Sequence, residues 1–588
     1  MPSIYTPPML PDMGPLRQVR KLTNYALLSM CIAFLLVFLV YPIFLTVRGG
    51  FYADVARREG FTFDHVLLVF QDPRLLNGLL NSLKLAAMTT ISAIAIALPL
   101  AIVGARYRFP GKGFFSAIVL VPLILPPFVG AIGMRALLGR EGALNALLGT
   151  DFDILGDAKV AGVVLVQAFS LYPIIYLNAT AALANLDPAL DEAAENLGAG
   201  PWKRLFSITL PLVRPGVFAG ATIVFIWAFT ELGTPLMFDY REVTSVQVFN
   251  GLKEVENSAR PYALTVVMLV TAVTAYLIGK VLFGKKGYAM YSKAARAASE
   301  TQLTGGKAML AMGAFAVVSF LALLPHIGVI LTALTPAGQW YQTVLPSSFT
   351  GENFKEALTA TDSFTAIKNS LMLAGAAMMV DIAFGILIAY LLVRTNVKGR
   401  GLLDALCMLP LAVPGLVMAF GYVAMSLRWP FGDGGPLGSF ASVMAAEPSP
   451  VPFLIAAYAV RRLPYIVRST VAGLEQTSGE LEEAAVNLGA SRVTAVRRVI
   501  LPLIVANLIA GGLLVFSFSM LEVSDSLILA QRGEDYPITK AIMAFSERLG
   551  DGPFIASALG VWGMALLTVT IFAASTLLGK KLGSIFRV

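Results

Sequence analysis

The sequence predicts an all-α polytopic membrane protein of about 12 transmembrane helices, arranged as two parallel six-helix repeats. Three observations carry that reading. The 588 residues are 57% hydrophobic and only 14% charged, with a mean hydropathy of +0.75, where a soluble domain has about 45–50% apolar and about 25% charged residues. Apolar runs of spanning length, about 17–25 residues, recur along the whole chain, and the second half of the chain repeats the first. The same composition excludes an ordinary water-soluble enzyme, and it excludes disorder, which needs low hydrophobicity and high charge.

Residues 1–24 form a Pro-rich tail ending in Arg17, Arg20 and Lys21. The first run, 25–47, has no small-residue cleavage site after it and reads as a retained anchor rather than a signal peptide. Further spans are expected near 78–104, 114–138, 160–185, 212–233 and 262–284, which completes a first repeat over 25–284. Residues 285–306 read as a basic cytoplasmic linker, in a stretch that holds Lys280, Lys285, Lys286, Lys293, Arg296 and Lys307. The second repeat covers 307–588, with spans near 307–333, 368–393, 403–426, 451–473, 503–530 and 553–579. All are expected to be helical, because backbone polar groups in lipid must be satisfied within their own segment. Placing the N-terminus inside puts most Lys and Arg on the cytoplasmic side and most Asp and Glu outside, so both termini are expected in the cytoplasm. That placement accounts for the formal charge of +8 without nucleic acid. Cys31 and Cys407 sit singly in apolar runs and read as small buried hydrophobes. His65 and His326 are equally isolated, and without an HExxH or CxxC motif zinc chemistry is not expected.

The repeat is visible residue by residue. Asn81-Ser82-Leu83 returns as Asn369-Ser370-Leu371, and Pro122 and Pro126 return as Pro410 and Pro414, all offset by 288. Pro173, Gly220 and Glu231 return as Pro464, Gly511 and Glu522, offset by 291. An even number of spans per repeat makes both halves enter the membrane the same way round, as parallel repeats about an axis along the membrane normal.

The most informative stretch is cytoplasmic and occurs twice. Glu192-Ala193-Ala194, then Leu197-Gly198-Ala199, lead to Leu210-Pro211; Glu483-Ala484-Ala485, then Leu488-Gly489-Ala490, lead to Leu501-Pro502. Comparing 192–212 with 483–503 gives 10 identities in 21 positions. The local physics predicts a helix, a turn and a second short helix. Asp187 is an N-cap with Pro188 in the first turn, and Thr477 and Glu480 have capping-box spacing. Gly198 or Gly489 then stops the helix in a left-handed turn. The charged face is expected to carry Glu192 and Glu195 in one copy, Glu482 and Glu483 in the other.

This arrangement resembles the EAA signature of ABC importer permeases, and the six spans around each copy extend the resemblance to nearly the whole chain. It looks like a fused permease of the type I importer fold, closest in type to ferric-iron importer permeases. The resemblance implies that the EAA loops, 187–211 and 478–502, are coupling helices that dock on an ATP-binding subunit. Its docking residues would be Glu192, Ala193, Ala194 and Gly198, with Glu483, Ala484, Ala485 and Gly489. Copy one departs from the usual Gly-Ala-Ser, reading Gly-Ala-Gly-Pro over 198–201, which leaves the shape of its turn open. No GxxxxGK[ST] sequence occurs here, so no catalytic residue and no cofactor are expected in this chain. ATP and Mg2+ are expected on two copies of a partner ATPase, with an extracytoplasmic binding protein delivering the solute. The expected setting is the bacterial cytoplasmic (inner) membrane.

Ionisable residues inside spans are candidates for the pathway. Glu231 and Glu522 occupy matching places, and Asp525 lies at i+3 from Glu522. Facing halves would bring these carboxylates near the pseudo-twofold axis, where oxygen ligands suit a hard cation such as Fe3+ in transient contact. The competing reading is that they bond helix ends or a neighbouring Arg. Asp381 has no acidic counterpart in the first half and reads as a satisfied helix contact. Other cargoes, thiamine-like or phosphonate and sugar-phosphate, fit the same importer class. A proton-driven 12-span secondary transporter is the alternative of a different class, although it would need no paired EAA loops.

Overall fold

The computed structural model describes residues 14–578 except 154, 284–300, 433 and 446, so most of the expected linker and the start of the N-terminal tail lie outside the described residues. In chain order the principal helices of the first half are α1 (Lys21–Gly49), α2 (Pro73–Arg106), α3 (Pro127–Leu138), α4 (Lys159–Ala184), α5 (Pro188–Asn196), α6 (Pro201–Thr230) and α7 (Arg260–Phe283). Those of the second half are α8 (Gly305–Ala333), α9 (Thr361–Arg394), α10 (Gly415–Ser426), α11 (Val451–Gln476), α12 (Glu480–Asn487), α13 (Arg492–Met520) and α14 (Gly552–Leu578). Among the described residues, 9 helices are long and apolar enough to cross a membrane, or 11 if each of two bent pairs is one span.

Five expected spans depart from simple apolar rods. The runs near 114–138 and 403–426 are each broken: Lys112–Ile124 meets Pro127–Leu148 at 99°, and Arg400–Leu411 meets Gly415–Ser426 at 104°. The cause is the repeated proline pair. A residue before proline is driven out of the helical region, and Leu125, before Pro126, is extended at φ −102° and ψ 123°. The helix then restarts with Pro126 or Pro414 as its N-cap. The run near 451–473 is one helix, α11, but it carries Arg461, Arg462 and Arg468. The run near 503–530 stops at Met520 and resumes as the short helix Ser524–Leu529. In the first half Thr230 is followed in the same way by Gly233–Met237.

The second limbs of the broken spans lie in the middle of the protein, and every residue of α10 is buried. The first helix of each repeat packs against the broken span of the other: α1 crosses α10, and α8 crosses α3. Both crossings use glycine at equivalent positions. A Cβ at Gly421 would lie 2.5 Å from the Pro42 carbonyl oxygen, and one at Gly133 would overlap the Pro325 carbonyl and the Val329 amide. Gly328 faces Gly133 in turn, its Cβ position 2.5 Å from the Gly133 oxygen. Small residues let helix backbones meet in lipid, where dispersion rather than the hydrophobic effect drives association. Beside the Gly421 crossing, the Tyr422 hydroxyl donates to the Phe38 carbonyl. One continuous hydrophobic core therefore runs through both halves.

The Asn-Ser repeat has a structural use. Asn81 donates to the Glu242 carbonyl at 2.9 Å, and the Ser82 hydroxyl accepts from the Thr244 amide at 2.8 Å. Asn369 donates to the Glu534 carbonyl at 2.7 Å, and Ser370 accepts from the Ile538 amide at 2.8 Å. Each pair ties the second span of its half to the loop beyond the fifth.

Gly421→Leu is expected to abolish most of the monodisperse protein in detergent size-exclusion chromatography, because overpacking costs about 1–3 kcal/mol even where side chains can move and here the obstacle is backbone. Gly375→Leu, at a glycine with no atom within 4 Å of its Cβ position, should elute as wild type. Equal profiles for the two variants would remove the crossing from its central place.

Candidate coupling loops and translocation pathway

The two EAA loops adopt one geometry from partly different sequences. In the first, Asp187 accepts from the Ala189 amide at 3.0 Å and Pro188 opens α5. The expected capping box in the second does not form. Glu480 is itself the first residue of α12, and the Thr477 hydroxyl instead bonds the Leu474 carbonyl at 3.0 Å and Arg394 at 2.8 Å. Both helices end in a left-handed glycine, Gly198 at φ +78° and Gly489 at φ +93°. Ala199 donates to the Ala194 carbonyl at 2.9 Å and Ala490 to that of Ala485 at 3.0 Å, so the turns match. The Gly-Ala-Gly-Pro departure only changes how the next helix starts. Pro201 supplies a first residue with no N–H to satisfy, while in the second copy Ser491 accepts from the Thr494 amide at 3.2 Å.

One acidic side chain per loop faces inward. Asp191 pairs with Arg106 and Arg204, each at 3.4 Å. At the equivalent position Glu482, expected on the exposed charged face, is 7% exposed and accepts from the Tyr390 hydroxyl at 2.7 Å. These contacts hold each loop to the cytoplasmic end expected for α2 or α9. Glu195 is engaged by Arg204 at 2.6 Å. Glu192, Ala193, Glu483 and Ala484 are exposed, as are Gly198 and Gly489, while Ala194 and Ala485 are half-buried. Sequence reasoning missed the apolar part of this surface. Leu197 and Leu488, in matching positions, are 88% and 90% exposed, and the matching pair Trp202 and Val493 are 72% and 77% exposed. Large apolar side chains bared at the same place twice mark an interaction surface.

The pathway carboxylates are taken up within their own halves. Glu231 follows α6 as its C-cap, and its side chain accepts from the Thr234 amide at 2.8 Å and from Gln167 at 3.4 Å. Glu522 receives Arg461 at 2.8 Å and also pairs with Arg462, and Arg461 reaches Asp525 at 3.1 Å. The backbone carbonyls behave alike, that of Glu231 accepting from Ser245 at 2.8 Å and that of Glu522 from Thr539 at 2.6 Å. No hydrogen bond or ion pair joins Glu231 to Glu522 among the described residues. The reading in which these groups bond helix ends or a neighbouring Arg is therefore the one the geometry matches. Arg461 and Arg462 were available in the sequence as an adjacent basic pair inside an apolar run. No group of three or more His, Cys, Asp or Glu that could hold a metal ion occurs among the described residues.

Asp381 is not a satisfied helix contact. It is fully buried in α9, and neither carboxylate oxygen has a hydrogen-bond partner. Its basic neighbour Arg462 is committed to Glu522. Removing one partner of a buried ion pair strands the other and costs about 3–5 kcal/mol. Glu522→Ala should therefore lower the thermal unfolding midpoint in detergent clearly more than Glu231→Ala, which strands only neutral donors. Equal shifts would show that the arginines gain nothing from Glu522.

The chain matches the family described as binding-protein-dependent transport system inner membrane component over residues 93–240 and 381–581. It is 25% identical over 527 residues, 85% of this chain and 77% of the relative, to a putative ferric transport system permease protein of Haemophilus influenzae. To a ferric transport system permease protein of Actinobacillus pleuropneumoniae it is 25% identical over 515 residues, 86% of this chain and 71% of the relative. A molybdenum transport system permease protein of Escherichia coli is 31% identical over 171 residues, 29% of this chain and 74% of the relative. A solved bacterial ABC transporter involved in alginate import aligns with a TM-score of 0.38 and 19% identity, over 46% of this chain and 97% of that one. Two family regions cover more than half of the sequence, and each contains one EAA loop. The chain belongs to the binding-protein-dependent transport system inner membrane component family, as two permease repeats fused in one polypeptide.

Proposed function

We propose that this permease imports ferric iron released by an extracytoplasmic binding protein, driven by a separate ATPase. Likeness to ferric permeases along most of the chain, across both repeats, supports the cargo. The paired loops support the drive: Leu197 with Trp202, and Leu488 with Val493, form two apolar knobs suited to clefts on two copies of an ATP-binding subunit. ATP and Mg2+ act on that subunit. Closure of the two copies moves α5 and α12 together, and the halves open outward to receive cargo. Both termini face the cytoplasm in this arrangement. An oxyanion cargo is the second reading, favoured by the molybdenum permease, whose likeness covers a single repeat's length.

Glu231, Glu522 and Asp525 contribute to the path as oxygen donors in this reading. A cation near Glu522 competes with two guanidinium groups, whereas Glu231 is held only by neutral donors, so Glu231 is the stronger candidate contact.

Two measurements test the proposal. In proteoliposomes holding the ATPase and the binding protein, Leu197→Asp with Leu488→Asp is expected to lower uptake by about tenfold or more, since two charges are placed in apolar clefts at more than about 1.4 kcal/mol combined. Glu192→Ala with Glu483→Ala, or a bulky residue at both Gly198 and Gly489, should leave ATP hydrolysis running without uptake. Wild-type uptake in these double variants would reject the coupling role. For cargo, native mass spectrometry of the co-purified binding protein should find iron, and a bound oxyanion there would replace iron while leaving the importer reading intact.

A further inference from the structure

Between α2, α6 and α7 the first repeat holds a cavity of about 560 Å³, within the range of about 300–1,000 Å³ usual for small-molecule sites. Ile94 and Leu98, Phe218, Ala221 and Phe225, and Tyr276 belong to its apolar wall. The groove opens to the outside of the bundle, where Phe206 is 62% and Tyr276 39% exposed. Among the described residues, Arg214 is the one charged lining residue. Its guanidinium donates to the Leu282 carbonyl at the end of α7, which fixes the charge at the mouth of the groove. Lys280, one turn from that end, sits 5.9 Å over the Tyr276 ring. Apolar depth with two cations at the rim, on the EAA-loop side of the protein, is the chemistry of an anionic lipid: acyl chain inward, phosphate at the rim.

Among the described residues of the second repeat the equivalent helices meet directly, which argues against a generic lipid-facing crevice. By the repeat offset of 291, Arg214 corresponds to Val505 and Ile226 to Ser517. The Ser517 hydroxyl meets that of Thr570 at 2.6 Å, tying α13 to α14. Ala510, Leu514 and Ala574 pack together beside it as a separate buried cluster. The same helix pair is thus bonded shut in one half and parted around a basic-rimmed groove in the other.

We propose that the groove between α2, α6 and α7 binds one anionic phospholipid per chain, with an acyl chain against Phe218 and Phe225 and the phosphate between Arg214 and Lys280. The site stands independently of the cargo, since it lies on the membrane face of one repeat.

The test is native mass spectrometry of the full chain in mild detergent, offered phosphatidylglycerol or phosphatidylethanolamine with identical acyl chains. One phosphatidylglycerol should be retained per chain, about tenfold over phosphatidylethanolamine, equivalent to about 1.4 kcal/mol. Arg214→Gln should remove the preference and Arg214→Lys should keep it. Thr222→Trp, which fills the groove and leaves both cations in place, should expel the lipid. Should Arg214→Gln fail to fold, Thr222→Trp carries the test alone. Equal retention of the two lipids, two retained lipids per chain, retention unchanged in Thr222→Trp, or a co-purifying protein helix displaced by that variant would each overturn the proposal.

Discussion

Backbone contact between the two repeats, at Gly133 against α8 and at Gly421 against α1, is the constraint on which the remaining geometry rests. Without a side chain at these positions, the first helix of each half lies directly on the broken span of the other. The exchange places α3 and α10 in the middle of the protein and makes one core of two repeats. Lipid offers little drive to bring apolar helices together, so close packing must supply the attraction. A crossing that admits no Cβ sets the distance between the halves. The short helices after α6 and α13, and the carboxylates that precede them, take their positions from that distance because they pack on α3 and α10.

The two halves share a backbone plan while differing in charge. In the first, Glu231 is answered by Gln167 and a backbone amide. In the second, Glu522 and Asp525 are answered by Arg461 and Arg462. Charges removed from water are costly unless paired with good geometry, so the second half is locked by electrostatics where the first is locked by hydrogen bonds. Asp381 lies beside that lock with no hydrogen bond of its own. The same divergence separates the closed α13–α14 contact from the open groove beside α6 and α7. Pseudo-symmetry therefore describes the scaffold better than it describes the sites.

The EAA loops show how two sequences reach one surface. Gly-Ala-Gly-Pro and Gly-Ala-Ser give the same turn because both supply a glycine at positive φ and ease the start of the next helix, Pro201 by lacking an N–H and Ser491 by accepting one. Asp191 and Glu482 hold the loops from beneath, through different partners. What remains outside is a short acidic and alanine-rich helix face beside two bare apolar side chains. A rigid loop anchored to a long helix is suited to passing a push from its tip into the membrane domain.

The sequence by itself determined the all-α membrane class, the two parallel repeats and the location of the EAA loops. These rest on hydropathy, on helix and turn chemistry and on internal repetition, all of which are local or periodic. The Pro122–Pro126 and Pro410–Pro414 pairs were also visible, yet reading them as continuous spans ignored how strongly a residue before proline leaves the helix. Only the tertiary structure decided which helix lies on which, that Glu482 points inward, and that Arg461 and Arg462 neutralise Glu522 and Asp525. Those outcomes depend on residues 61 (Arg461 and Glu522), 92 (Tyr390 and Glu482) and 384 (Phe38 and Tyr422) positions apart meeting across helix pairs. A pairing of that kind leaves no period in the sequence, because the free energy that selects it belongs to the packed state alone.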